Sequence, residues 1–127
     1  MTYILVEREL VDSGPAAEVY IVWRGDRCQL LEFLAGLSVD DRDKVQRAVS
    51  RLADDGPMMN TAKFRKLHAD VELWELKVGA IRIPLFRDGP RRFVLTHGFR
   101  KTTDRTPPTE IARAVRIREE YYAVYAS

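Results

Sequence analysis

Cysteine and histidine are scarce in this sequence. Its 127 residues include one cysteine, Cys28, and two histidines. One cysteine cannot form a disulfide within the chain, and two histidines are too few for a structural zinc site of ordinary composition. We therefore expect packing alone to stabilise the fold, with no metal and no small-molecule cofactor.

Long apolar runs and targeting signals are also missing. No apolar run approaches the roughly 18 residues that are needed to span a bilayer. Residues 1–12, MTYILVERELVD, lack a basic segment at their start and are interrupted by charges, so they do not resemble a signal peptide. These absences predict a cytoplasmic protein that does not contact a membrane.

The motifs of the common enzyme classes are not found either. The sequence contains no P-loop, GxGxxG, HExxH, GxSxG or CxxC pattern. Glu75 stands alone among cations, which argues against the paired carboxylates of glycosidases and two-metal enzymes. What remains as a source of chemistry is a group of Lys and Arg side chains.

Charge is unevenly distributed along the chain. Residues 1–62 carry a net charge of −4, residues 63–118 carry +8, and residues 119–127 carry −2. A basic second half suggests a surface that meets polyanions such as nucleic-acid phosphates. The alternative is a solvated basic face that has no partner.

Apolar periodicity and Gly/Pro punctuation predict a single α+β domain over residues 1–127. The predicted order is β-α-α-β-β-β-α, with a further edge strand at residues 2–6. We expect a twisted antiparallel sheet of four to five strands, apolar on one face and mixed on the other. Both N-terminal helices should cover one face, with the C-terminal helix nearby. The predicted elements span residues 17–23, 27–37, 38–56, 72–78, 80–87, 92–100 and 107–125.

Capping residues predict where the longer helices begin and end. Ser38, followed by Asp41, predicts the start of the second helix, and Gly56 predicts its end. Thr106 is predicted to cap the last helix, with Pro107 at its first position. Pro84 cannot donate to a strand ladder, so its strand should be irregular at that point.

Two cations are predicted to lie side by side on the mixed face. Alternation places Lys77 and Arg82 on the same side of adjacent strands, opposite the apolar residues. Like charges repel unless an anion lies between them, which favours a phosphate site. The alternative is a pair of solvent-exposed charges. Arg82→Ala is expected to leave the fold intact, because this face is predicted to be exposed.

An ordered set of short motifs resembles a known family. The set comprises Lys66-Leu67, Trp-Glu-Leu-Lys at 74–77, Ile-Arg-Ile at 81–83, Leu-Thr-His-Gly-Phe-Arg-Lys at 95–101, and Arg-Thr-Pro at 105–107. It resembles the phage-derived, HigB-like branch of the RelE/ParE toxin superfamily. The similarity covers roughly residues 16–121 and leaves residues 1–15 as an N-terminal extension.

The resemblance implies the toxin of a type II toxin–antitoxin pair with a RelE-like fold. Such a toxin is a metal-independent endoribonuclease that cuts mRNA on the ribosome and leaves a 2′,3′-cyclic phosphate. Its partners would be the ribosome, mRNA and an antitoxin with a helix-turn-helix domain. The alternative is a non-enzymatic or gyrase-directed binding module of the same fold.

The resemblance also implies which residues would act. Lys66, Lys77, Arg82 and Lys101 match the family's cationic positions, and we expect these four to be catalytic. His97 is a candidate general base, because an imidazole titrates near neutrality, or else a structural histidine. Further RNA-binding cations are expected at Lys63, Arg65, Arg87, Arg100 and Arg105.

Three positions depart from the family's pattern. Lys77 stands where an arginine is typical, so a point charge replaces a guanidinium that can bind phosphate through two nitrogens. Ile81 stands where an aromatic residue is common, and Thr102 where a second lysine is. These departures predict weaker activity than is typical of the family.

Overall fold

The computed structural model describes residues 5–57, 64–68 and 71–125, with the backbone alone at 64–66 and 68. Three helices and a mixed sheet confirm the α+β class. The elements are β1 (Val6–Ser13), β2 (Glu18–Arg24), α1 (Gln29–Ala35), α2 (Val39–Asp55), β3 (Phe64–His68), β4 (Leu73–Val78), β5 (Ile81–Asp88), β6 (Arg92–Leu95), β7 (Phe99–Arg100) and α3 (Pro108–Tyr125).

The sheet is mixed and larger than the sequence predicted. Its order is β1-β2-β6-β5-β4-β3, with the short β7 beside β5. β2 pairs with β6 in parallel, and the other described neighbours pair antiparallel. The expectation of a purely antiparallel sheet was wrong because α1, α2 and three strands separate β2 from β6, and a long connection of this kind permits parallel pairing.

The edge strand at the N-terminus is longer than predicted and lies later in the chain. β1 forms a hairpin with β2, whereas the prediction placed a strand at residues 2–6, most of which lie outside the described residues. In the turn, the backbone N–H groups of Ala16 and Ala17 donate to the carbonyl oxygen of Ala53. A Cβ at Gly14 would meet that oxygen at 2.5 Å, so only glycine fits. The hairpin therefore caps the C-terminal end of α2.

Both faces of the sheet are covered. The first face packs Ile21, Ile83 and Leu85 against α1 and α2. The second face packs Val22, Phe86 and Val94 against Ala114, Ile117 and Tyr121 of α3. The predicted mixed face is therefore an interior surface, and residues 81–86 of β5 are all buried. Sequence alternation showed which side is polar, but it could not show that α3 lies on top of it.

Helix α2 begins and ends as predicted. The Ser38 hydroxyl accepts a hydrogen bond from the backbone N–H of Asp41 at 3.1 Å. Gly56 ends the helix with a φ of +78°, in the region that favours glycine. None of the described helices is both long enough and apolar enough to span a bilayer.

Helix α3 begins one residue later than predicted. It starts at Pro108, and the carbonyl of Pro107 accepts from the N–H groups of Glu110 and Ile111. The Thr106 hydroxyl, predicted to cap the helix, donates to the buried carboxylate of Glu75. A hydrogen bond to a charged acceptor is stronger than one between neutral groups.

The irregularity predicted at Pro84 is confirmed. The β5–β6 ladder ends at Leu85–Leu95, and pairing resumes between β5 and β7 at Arg82–Phe99. Between them, the N–H and the hydroxyl of Thr96 both donate to the carbonyl of Pro84, at 2.9 and 2.8 Å. The single strand predicted over residues 92–100 is therefore two strands with a break at 96–98.

Candidate functional site

Three of the cations predicted to be catalytic meet at the end of the β4–β5 hairpin. Lys77 and Arg82 are directly opposed in the strand register, across a turn in which Gly79 has a φ of +60°. The backbone N–H of Lys101 donates to the carbonyl of Ala80 in the same turn, at 2.8 Å. Lys77 and Lys101 are partly exposed. Hairpin pairing and β7 therefore bring together residues that lie up to 24 positions apart in the sequence.

Arg82 is held on two sides and is largely buried. Its side chain is 9% exposed, and Nη1 donates to the carbonyl oxygens of Gly79 and Ile81. Nε lies 3.5 Å from Oε1 of Glu75. The remaining nitrogen, Nη2, donates to none of the residues that the structure describes. Unlike Nε, it is not a fully buried nitrogen that lacks a hydrogen-bond partner. Nη2 is thus the guanidinium nitrogen for which the described residues supply no acceptor.

The expectation that Arg82 is an exposed surface residue was wrong. Its side chain lies on the sheet face that α3 covers, together with Glu75 and Pro84. The sequence placed it correctly beside Lys77, but alternation alone gives no information about what lies above a sheet face.

Glu75 is the buried counter-charge of Arg82. It is fully enclosed, and its Oε2 accepts a hydrogen bond from the Thr106 hydroxyl at 2.7 Å. The three residues come from β4, β5 and the segment before α3. We call them the Glu75–Arg82–Thr106 network.

This network makes the hairpin end sensitive to mutation. Removing one partner of a buried ion pair costs about 3–5 kcal/mol, because the other charge is left uncompensated in a medium that solvates it poorly. The network therefore links the position of a candidate functional cation to the stability of the fold.

His97 lies in a second buried polar group at the start of α3. It is 1% exposed, its Nδ1 lies 3.1 Å from Oγ1 of Thr96, and its Nε2 lies 3.4 Å from Oε1 of Glu110. The Thr96 hydroxyl donates its proton to Pro84, so it can only accept from His97, which places the imidazole proton on Nδ1. The ring stacks on Phe99 at a centroid distance of 5.9 Å.

The environment of His97 keeps its imidazole neutral. Burial, together with the nearby positive charge of Arg113, lowers the pKa of His97 to about 4. A neutral, enclosed imidazole can orient neighbouring groups, but it has no direct path to a substrate on the surface.

The cations predicted to bind RNA are spread over the surface. Arg100 donates to the carboxylate of Asp41 on α2 at 2.8 Å, and this bond lowers the pKa of Asp41. Arg87 lies over the ring of Phe93, five residues and roughly 17 Å along β5 from Arg82. Arg105 is exposed and directly precedes Thr106. Of these three, Arg100 pairs with Ile81 at the hairpin end, and Arg87 is remote from it.

The predicted residues in and before β3 are described only in part. The register pairs Arg65 with Glu75 and Lys66 with Trp74, so both backbones lie beside β4. Their side chains, and the whole of Lys63, lie outside the described residues. Arg65, rather than Lys66, holds the strand position opposite Glu75.

A comparison with protein families identifies the chain. The sequence model of the family described as "Phage derived protein Gp49-like (DUF891)" matches residues 32–119, over two thirds of the chain. The chain belongs to the Gp49-like family. This is a family of RelE/HigB-like toxins, which agrees with the resemblance in the sequence. A search of curated proteins found no match.

The Gp49-like match includes the candidate site and excludes the N-terminal hairpin. All ten predicted site residues, from Lys63 to Arg105, lie within the matched residues. β1 and β2 precede the match, although their turn caps α2. The match thus begins after the hairpin, whose turn nevertheless packs against the end of α2.

Sequence reasoning missed two members of the site of this Gp49-like protein. Glu75 was used only to exclude other enzyme classes, and Thr106 was interpreted as a helix cap. A signal for Glu75 was present, because it shares strand parity with Lys77 and is one step diagonal to Arg82 across the predicted hairpin. No comparable signal marks Thr106, whose partner lies 31 positions away.

Proposed function

We propose that this protein is the toxin of a type II toxin–antitoxin pair, and that it cleaves mRNA on the ribosome. Its membership of the Gp49-like family supports the toxin assignment. The observation that carries the proposed activity is the convergence of Lys77, Arg82 and Lys101 on one hairpin end. The proposed partners are a cognate helix-turn-helix antitoxin, the ribosome and mRNA.

The proposed reaction is an internal transfer at a phosphodiester. The RNA 2′-oxygen forms a bond to phosphorus while the bond from phosphorus to the 5′-oxygen breaks, which leaves a 2′,3′-cyclic phosphate. The 2′-hydroxyl releases a proton, and the departing 5′-oxygen acquires one. Negative charge grows on the non-bridging oxygens in the transition state, so prepositioned cations stabilise that state more than the ground state.

Each cation has a distinct part in this proposal. Nη2 of Arg82 is a donor whose direction is set by the two hydrogen bonds from Nη1 and by the ion pair of Nε with Glu75. Lys77, opposite Arg82, and Lys101, beside the turn, would supply positive charge to the same phosphate. We propose that His97 maintains the geometry of the β6–β7 break, since its ring is enclosed.

The burial of Arg82 favours a second candidate, a binding module that has lost catalysis. An arginine that is 9% exposed offers little surface to a substrate. The lysine at position 77 and the threonine at 102 also remove contacts that are typical of the resembled family. On this view, the basic half of the chain binds a partner without cutting RNA.

Expression without an antitoxin distinguishes the two candidates. If the protein is the proposed nuclease, induction should arrest growth, and primer extension on translated messages should reveal new 5′ ends. Lys77→Gln should abolish these ends, whereas the matched control Lys44→Gln, on the exposed surface of α2, should not. Intact messages with inhibited gyrase supercoiling would instead support a gyrase-directed module. If neither is affected, the non-enzymatic module is favoured.

A further inference from the structure

We infer that Glu75 and Thr106 are positioning residues, which orient the Arg82 guanidinium so that Nη2 points to the reacting phosphate. The inference rests on the proposed nuclease function. It assigns a role to two residues that come from elements other than the strand that carries Arg82, and neither of them touches the substrate.

The geometry leaves the guanidinium little freedom. A guanidinium is planar, so fixing two of its nitrogens fixes the direction of the third. Nη1 is bound by the carbonyls of Gly79 and Ile81, and Nε faces the Glu75 carboxylate at 3.5 Å. Nη2 then points along the one direction that is left. Removing the Glu75 contact would free rotation about the bond that places Nη2.

Thr106 fixes the carboxylate in turn. Its hydroxyl donates to Oε2 of Glu75 at 2.7 Å, while Oε1 of the same group faces Arg82. The two oxygens are thus turned toward different partners, so the carboxylate plane is set by both. Thr106 also ends the segment that carries Lys101 and Arg105, so the same hydrogen bond holds that segment against the sheet.

Stability alone does not account for this arrangement. Burying an ion pair removes two charges from water, and well-packed apolar side chains of similar volume are often as stabilising or more so. The middle of the same face, around Phe86 and Ile117, is packed with apolar groups. A second polar group, in which Arg8 and Tyr121 both donate to Asp88, lies at its far end. The Glu75–Arg82–Thr106 network lies at the end of the face that also holds Lys77. A role in orienting the Arg82 guanidinium explains why this end is charged.

The test compares three substitutions at constant protein concentration in a purified translation system. Thr106→Val keeps the shape of the side chain and removes the hydroxyl, Thr106→Ser keeps the hydroxyl, and Thr109→Val is a matched control on the exposed first turn of α3. We expect Thr106→Val to lower kcat about tenfold to 100-fold through misorientation, with KM within about twofold. Thr106→Ser and Thr109→Val should cleave like the wild type.

A second measurement reports on orientation directly. The ¹⁵N resonance of Arg82 Nε, assigned by its loss in Arg82→Lys, should shift in Thr106→Val and return in Thr106→Ser. The inference is overturned if the wild type cleaves mRNA and Thr106→Val cleaves equally well, or if the loss lies in KM alone. A lower melting temperature of Thr106→Val with unchanged kcat also overturns it, since that result describes a structural residue.

Failure of the proposed function gives a different result. If the wild-type protein cleaves no translated message, the nuclease proposal fails and the positioning role falls with it. If the wild type is active, only the comparison of the Thr106 variants decides the inference.

Discussion

The two faces of the sheet bury different kinds of side chain. The face under α1 and α2 is packed with aliphatic and aromatic side chains, among them Ile83 and Leu85. The face under α3 combines an apolar part around Phe86 with polar groups at both ends, Glu75 and Arg82 at one and Asp88 at the other. An apolar face needs only shape and volume to be stable, whereas every buried polar atom needs a specific partner. The α3 face is therefore where one substitution can change stability and function together.

The largest effect is expected at the polar end of the α3 face. Arg82→Ala should abolish cleavage, with a loss of about 100-fold or more. It should also lower the free energy of unfolding by about 3–5 kcal/mol, because the buried Glu75 carboxylate loses the guanidinium that faces it. Chemical denaturation and the cleavage assay measure the two effects separately.

Two companion variants test the physical reason. Arg51→Ala, an exposed arginine on α2, should change the free energy of unfolding by no more than about 0.5 kcal/mol. The double substitution Glu75→Leu with Arg82→Leu should be less destabilising than Arg82→Ala, because it removes both charges. A fully stable Arg82→Ala protein would mean that the ion pair carries no structural energy.

The apolar face should respond in stability alone. Ile83→Ala removes a fully buried side chain on the α1/α2 side and should cost about 2–5 kcal/mol through lost burial and a residual cavity. Activity per folded molecule should stay near that of the wild type below the new melting temperature. A selective loss of kcat would show that the two faces are mechanically coupled.

The neutral histidine at the start of α3 predicts a pH dependence. The pKa of His97 is about 4 in the folded protein and near 6.5 when it is unfolded, so the unfolded chain binds the proton first. The stabilisation is complete above pH 6.5 and is lost as the pH falls toward 4, by up to about 3 kcal/mol.

Urea denaturation of the wild type and of His97→Gln, each at pH 7 and pH 4.5, measures this loss of stability. Glu110 and Arg113 face the imidazole and stay in both proteins. A difference between the two proteins in how far the free energy of unfolding falls from pH 7 to pH 4.5 is therefore caused by the histidine. An equal fall in the free energy of unfolding in both proteins would show that Glu110 keeps the pKa of His97 near its ordinary value.

The smallest effect is expected from surface cations. If binding to ribosomes runs through phosphate contacts, each contact adds roughly 0.7 to 0.9 to the slope of log K against log salt. Lys101→Glu should flatten that slope, because Lys101 adjoins the hairpin end. Arg47→Glu on α2 should leave it unchanged. Equal losses at both positions would indicate that binding follows net charge rather than a site.

Much of the local structure could be predicted because its causes are local. Helix α2 begins at a serine cap and ends at a glycine with positive φ, and both signals lie within a few residues of the ends they mark. The opposition of Lys77 and Arg82 also follows from strand alternation and a short turn. The family resemblance rests on the order of such short motifs, and the match over residues 32–119 agrees with it.

The tertiary structure alone decided which of these residues are buried and what they touch. Parallel pairing of β2 with β6, the packing of α3 on Phe86 and the bond from Thr106 to Glu75 join residues that are far apart in the chain. Periodicity reports which side chains share a face, but not which element packs on it, because that choice depends on the whole set of competing contacts. Local patterns therefore determined the elements and the cationic motif, and long-range packing decided that this motif is held by a buried carboxylate.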